Sequence, residues 1–154
     1  MLHTTFSNVA TIGIEAFSNV SFFYGGYYQP HEDNKHAIWD FPKATTVWPR
    51  AFRDAKGIHT LNFPILTSVS DGTFLDTDGL YNLNIPNLEE SAMSFISNSS
   101  VKTLSFPKLS NISGSGSWWG YSLNNLTTLE LGISNSSYKT IIDWAPDLTK
   151  VVFP

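Results

Sequence analysis

The 154 residues predict a β-rich solenoid of about six to seven coils of roughly 22 residues, with short parallel strands joined by turns and 3₁₀ pieces. Three observations predict it. A short apolar segment closed by Pro recurs at Trp39-Asp-Phe-Pro42, Leu61-Asn-Phe-Pro64, Leu83-Asn-Ile-Pro86 and Leu104-Ser-Phe-Pro107. Leu129-Glu-Leu-Gly132 and Val151-Val-Phe-Pro154 continue the series, and the last residues of the six segments are spaced by 22, 22, 21, 25 and 22. No stretch of about ten or more residues carries helical apolar periodicity. A fixed period of this size marks a repeat architecture, in which one coil cannot bury its own apolar side and a stack of coils can.

Each part of the repeat has a physical reason. Apolar residues alternating with polar ones describe a very short strand with one face inward. Three residues before each strand core sits another apolar residue, at Ile58, Leu80, Val101, Leu126 and Leu148, which gives L-x-x-L-x-L. Pro ends the strand because it has no N–H for a ladder. About ten residues later comes an aromatic, at Phe52, Phe74, Phe95 and Trp118, with Val47, Val69 and Ile112 between and Ser91 departing from the pattern. The chain then returns through turn-forming stretches such as Asp76-Thr-Asp-Gly79 and Ser97-Asn-Ser-Ser100. Phe6 to Phe17 has the spacing of Phe63 to Phe74, with Ser7 in place of Pro, so the N-terminus reads as a first coil. One domain spans 1–154: an insertion or N-terminal capping region over 18–38, regular repeats over 39–154, and an open C-terminal end. A parallel β-helix has coils of similar length; the single distal Phe after L-x-x-L-x-L favours a leucine-rich form.

Thr11-Ile-Gly-Ile-Glu-Ala-Phe17 and Val47-Trp-Pro-Arg-Ala-Phe52 form one half of the motif, and Leu61-Asn-Phe-Pro64 and Leu104-Ser-Phe-Pro107 the other. Together they resemble leucine-rich repeats of the BspA-like type, over nearly the whole chain apart from one insertion. The residue after the Phe, usually Cys or Gly in that family, varies here. The resemblance implies a surface-exposed or secreted protein, or one carried on a phage particle, that adheres to protein or host surfaces. It brings no catalytic residues with it.

Composition narrows the function classes. Without cysteine there are no disulfides and no thiolate metal sites. A net charge of −4 with only 14% charged residues does not supply the clustered Lys and Arg of a nucleic-acid interface. No apolar run reaches the roughly 20 residues of a membrane-spanning helix, and residues 1–17 lack the features of a secretion signal. His31, Glu32, Asp33 and His36 lie in one loop with nothing regular to fix them as ligands, so no metal and no cofactor is expected. Asp76-Thr-Asp-Gly79 lacks the remaining spacing of a calcium loop and reads as a turn. Five N-x-S/T sequons, at Asn19, Asn98, Asn111, Asn125 and Asn135, follow from a composition rich in Asn, Ser and Thr. No nucleophile elbow or phosphate loop is present, and the chain reads as non-enzymatic.

Three regions are candidate contact sites for a protein or carbohydrate ligand. The residues flanking each inward pair form a polar ladder that includes Asn62, Asn82, Asn84, Thr103 and Ser105; it is either a binding face or a solvated sheet. The insertion carries Tyr24, Tyr27 and Tyr28, which either contact a ligand or cap the first coil. The third region, Ser113-Gly-Ser-Gly-Ser-Trp-Trp-Gly-Tyr121, holds Trp118, Trp119 and Tyr121. The first function expected is therefore a recognition or adhesion module outside the cell. The second is a spacer or stalk within a longer array, with association through the open C-terminal end.

Overall fold

A computed structural model of the protein describes residues 2–21, 37–92, 94–113, 120–133 and 145–153. The L-x-L segments become strands β1 (Leu2–Thr5), β3 (Ala37–Asp40), β5 (Thr60–Asn62) and β7 (Asn82–Asn84), hydrogen-bonded in that order. A second ladder joins β10 (Thr103–Phe106), β13 (Thr128–Leu131) and β14 (Lys150–Val152). On the next flank β2 (Thr11–Ile12) pairs β4 (Thr46–Val47), and β8 (Glu90–Ala92) lies between β6 (Ser68–Val69) and β11 (Asn111–Ser113). On a third flank β9 (Ile96–Ser97) pairs β12 (Gly120–Tyr121). Every pairing is parallel. The molecule is a β-solenoid of about four turns, the number of strands in its longest ladder.

Among the described residues there is no helix, α or 3₁₀. Where the sequence suggests 3₁₀ pieces, the chain makes single turns: the N–H groups of Val9, Ala44, Leu88 and Leu109 donate to the carbonyls of Phe6, Phe41, Ile85 and Phe106. Pro42, Pro86 and Pro107 take the second position of such turns, where their fixed φ fits. One i→i+3 bond closes each turn before the chain enters the next strand, too little for a run of 3₁₀ helix.

Register places like on like. Trp39, Leu61 and Leu83 are level across β3, β5 and β7, and so are Asp40, Asn62 and Asn84. Two files of aromatic rings run through the core. Phe6 stacks on Phe41 at 4.5 Å and Phe41 on Phe63 at 5.0 Å, with planes within 6°. Phe17, Phe52 and Phe74 form the second file, at 5.1 and 5.6 Å. Beyond Phe74 the stacking gives way to edge-on packing, with Phe95 at 81° to Phe74 and 68° to Phe106. Ala44, Leu66, Leu88 and Leu109 form a further fully buried file that the repeat reading passes over. Its signal is a constant offset of three residues from Phe41, Phe63, Ile85 and Phe106. Ser91, the polar departure, is buried and level with Val69 and Ile112.

The corners after the Phe file turn through left-handed backbone at Asn19, Asp54, Asp76, Asn98 and Ser122, with φ of 57°, 55°, 55°, 43° and 52°. Asn and Asp tolerate this region best among residues with a side chain. Gly57 and Gly79 continue two of these corners at φ of 78° and 83°. Gly132 replaces the Pro of other segments for a different reason: its N–H donates to Phe106, and a Cβ there would lie 2.3 Å from the Pro107 carbonyl oxygen.

The first and second ladders are not hydrogen-bonded to each other, although β7 and β10 are neighbours. The segment from Leu83 to Leu104 is the 21-residue interval. Asn98 to Val101 is one residue shorter than Asp76 to Leu80, and the position skipped is the one Gly57 and Gly79 occupy. The β6–β8–β11 ladder continues across the same interval. The missing residue therefore opens a seam only on the L-x-L side.

Candidate functional site

The outward residues of the L-x-L strands form two rows. One runs through Thr5, Asp40, Asn62 and Asn84, the other through His3, Ile38, Thr60 and Asn82. The polar side chains bond along the rows: Asn84 Nδ2 donates to Asn62 Oδ1, Asn62 Nδ2 to Asp40 Oδ1, and the His3 ring meets the other oxygen of Asp40. In the parallel row Asn82 Nδ2 donates to Thr60 Oγ1 at 3.2 Å, and His59 Nδ1 lies 2.9 Å from the same oxygen. Thr60 is thus buried, not displayed. His59 stacks on Tyr81 at 4.9 Å where the strands begin. On the second ladder Ser105 Oγ donates to Glu130.

These bonds set the charge of the face. Burial pushes the Asp40 carboxyl up, but the hydrogen bonds from Asn62 and His3 and the charge of His3 outweigh it and hold Asp40 below its ordinary value. The first ladder thus carries one anchored carboxylate at its N-terminal end and neutral amides and hydroxyls toward Asn84, and the second ladder adds the Glu130 carboxylate.

Beside the Asp40–Asn62–Asn84 row stand Pro42, Pro64 and Pro86, one per coil, and the two rows border a groove of about 410 Å³. At its end, sharing Asn84 and Pro86, the seam forms a cleft of about 300 Å³ with Leu83 and Ile85 below and Asn82, Thr103 and Ser105 at the rim. Four of the ladder residues singled out from sequence, Asn82, Asn84, Thr103 and Ser105, meet at this cleft; Asn62 lies in the adjoining groove. The proline row was legible in the sequence as the strand terminator, without its position beside the amides.

Of the aromatic candidates, Tyr24, Tyr27, Tyr28, Trp118 and Trp119 lie outside the described residues, as do His31, Glu32, Asp33 and His36. Tyr121 is placed by its backbone, level with Ser97. Ser21 is bridged to Lys56, Ala37 begins β3, and β1 and β3 pair directly. Sequence reasoning passed over Trp48, which is 48% exposed, because it falls between repeat positions. Among the described residues no group of three or more His, Asp or Glu is placed to hold a metal ion. Against models of known families, curated proteins and solved structures, the chain has no match.

Proposed function

We propose that this chain is a recognition module, a BspA-like leucine-rich solenoid of six to seven coils that binds a protein or glycan on a surface outside the cell or on a phage particle. The L-x-L strands from β1 to β14 are then rungs of one column, with β7 and β10 adjacent across the seam. The observation that carries the reading is the groove along the Asn and Pro rows, with the cleft that adjoins it at Asn84 and Pro86. Pro42, Pro64 and Pro86 bring apolar surface beside amides, hydroxyls and the Asp40 carboxylate, a mixture that favours specific binding over mere solvation. A rigid stack holds these groups in place, so little ordering is lost on binding. The Asn and Pro rows repeat at the spacing of adjacent strands, roughly 4.8 Å, which suits an elongated ligand lying across several coils.

A second reading, a spacer within a longer array, is favoured by one observation: the amides of Asn62 and Asn84 already bond along the row. Such a row also serves as internal scaffolding. A glycan and extracellular-matrix array screen separates the two. Wild type should bind, and the double substitution Asn84→Ala, Ser105→Ala should weaken binding by about tenfold, the ~1.4 kcal/mol of one or two lost hydrogen bonds. Binding that survives this change but is lost in Trp119→Ala, Tyr27→Ala, Tyr28→Ala moves the site to the irregular loops. A well-folded wild-type chain that binds nothing on the arrays supports the spacer.

A further inference from the structure

The groove on the L-x-L face has a chemistry and a spacing of its own. Its accessible lining is mainly apolar, and Pro64 and Pro86 are exposed. Such a lining favours an occupant with apolar sides and a few polar groups. A sugar, with hydroxyls around its rim, would leave several of them unpaired against it.

The polar groups beside the prolines are mostly donors toward a ligand. Asn84 Nδ2 donates to Asn62 Oδ1, and Asn62 Nδ2 donates to Asp40 Oδ1. Each amide nitrogen carries two hydrogens, so one remains on both residues beyond the row bond. A ligand lying along the row is therefore best served by regularly spaced acceptors.

The fold sets the interval. Neighbouring parallel strands stand about 4.8 Å apart, so Pro42 and Pro86, two coils apart, are separated by about 9.6 Å along the stack. One turn of polyproline II, three residues, advances about 9.3 Å. Like positions on successive turns of such a helix thus fall on every second coil. An extended strand repeats its sidedness every 6.6 Å or so, about midway between one coil and two. Polyproline II also has no internal hydrogen bonds, and its prolines offer carbonyl acceptors without N–H donors.

Charge marks one end. The Asp40 carboxylate meets Asn62 and His3 at the N-terminal end of the row. Among the described residues that line the groove there is no Lys or Arg. A basic residue of a ligand is therefore complementary to that end and to no other part of the groove.

We propose, resting on the reading of this face as a recognition surface, that the groove docks a proline-rich segment of a partner protein in the polyproline II conformation, with a basic residue beside Asp40. Prolyl rings of the segment lie against Pro64 and Pro86, and the second hydrogens of Asn62 and Asn84 reach its carbonyls. The segment is stiff before it binds, so docking orders little.

The test is fluorescence anisotropy of the full chain with a labelled oligoproline that ends in Arg. The controls are a Gly/Ser peptide of equal length ending in Arg and an oligoproline ending in Glu. The Arg oligoproline should bind saturably and more tightly than the Glu form, and the Gly/Ser peptide should not saturate. Pro64→Ser combined with Pro86→Ser should weaken binding by about tenfold, the ~1.4 kcal/mol of lost ring contacts. Ser7 holds the equivalent place in the first coil, where the Val9 N–H still donates to the Phe6 carbonyl, so the turn forms without proline. Asp40→Asn should remove most of the difference between the Arg and Glu peptides. The proposal is overturned if the Arg oligoproline does not saturate, if the Gly/Ser peptide binds equally well, or if the proline double variant binds as wild type does. The array screen separates the two levels. A chain that ignores oligoproline yet binds an array component through Asn84 and Ser105 keeps its recognition face and loses this partner; a chain that binds neither loses both.

Discussion

The ladder from β1 to β7 and the ladder from β10 to β14 are built from the same segment, yet they meet at a break. Across the first, Trp39, Leu61 and Leu83 are 22 residues apart and pair without interruption. The break follows an interval of 21, whereas the next interval, 25 from Leu104 to Leu129, leaves β10 and β13 paired over four residues. A solenoid coil tolerates gain and loss unequally. Surplus residues can be carried between Ser113 and Gly120 while the strands keep their register, but a coil that is one residue short has nothing to give up except the pairing itself. The ring packing changes in the same region, from stacked Phe files to edge-on Phe95 and then to Leu131 where Phe41 and Phe63 stand earlier.

The largest effect that tests this comparison lies in the first region. Phe63 is fully buried, stacked on Phe41 and edge-on to Phe52. Phe63→Ala should cost about 3–5 kcal/mol of stability in urea unfolding. Phe63→Leu, which installs the residue that β13 carries at Leu131, should cost about 1 kcal/mol through the lost ring pairs. If Phe63→Ala cost under about 1 kcal/mol, as surface changes do, the ring files would not be the core of the stack.

A smaller effect tests the seam. Inserting Gly between Ser100 and Val101 restores the length of the Asp76–Leu80 corner and should let β7 and β10 pair. Each new backbone bond contributes about 0.5–1.5 kcal/mol, partly offset by the added chain entropy of Gly. The expected outcome is slower amide exchange across β7 and β10 with a modest rise in stability. Unchanged exchange there would show that the corner length does not cause the break.

Much of this was legible in the sequence. The recurring L-x-L–Pro segment placed the strands, their inward pairs and the polar rows; the spacing of 21 was visible too, but the break in pairing that goes with it shows only in the stacked coils. The buried file of Ala44, Leu66, Leu88 and Leu109 escaped because Ala is small and the file lies in the turn after Pro, where polar residues are the norm. The sequence assigned Thr60 to the solvent side of the strand, and the neighbouring Asn82 and His59 cover it. The grooves escaped for a different reason: each is defined by residues from two or more coils, so it emerges only when the coils are stacked.

The smallest effect divides the two regions by sign. Asp40, on the first ladder, has its carboxyl pushed up by burial but held below the ordinary value of 3.8 by Asn62 and His3. Its contribution to stability is present above pH 3.8 and is lost as pH falls through the lowered folded value. Asp78, on the corner one coil before the short one, is raised above 3.8 by burial, with the Gly79 N–H opposing. Its contribution is fully present below 3.8 and is lost as pH rises through the raised folded value. Asp40→Asn should therefore flatten the fall in stability at the acid end, and Asp78→Asn should abolish a loss that begins above pH 3.8 and persists at neutral pH. Urea midpoints of the three proteins from about pH 2.5 to 7 read both slopes at once. Matching signs would mean that the two carboxylates share one environment, contrary to the anchored row on one side of the molecule and the desolvated corner on the other.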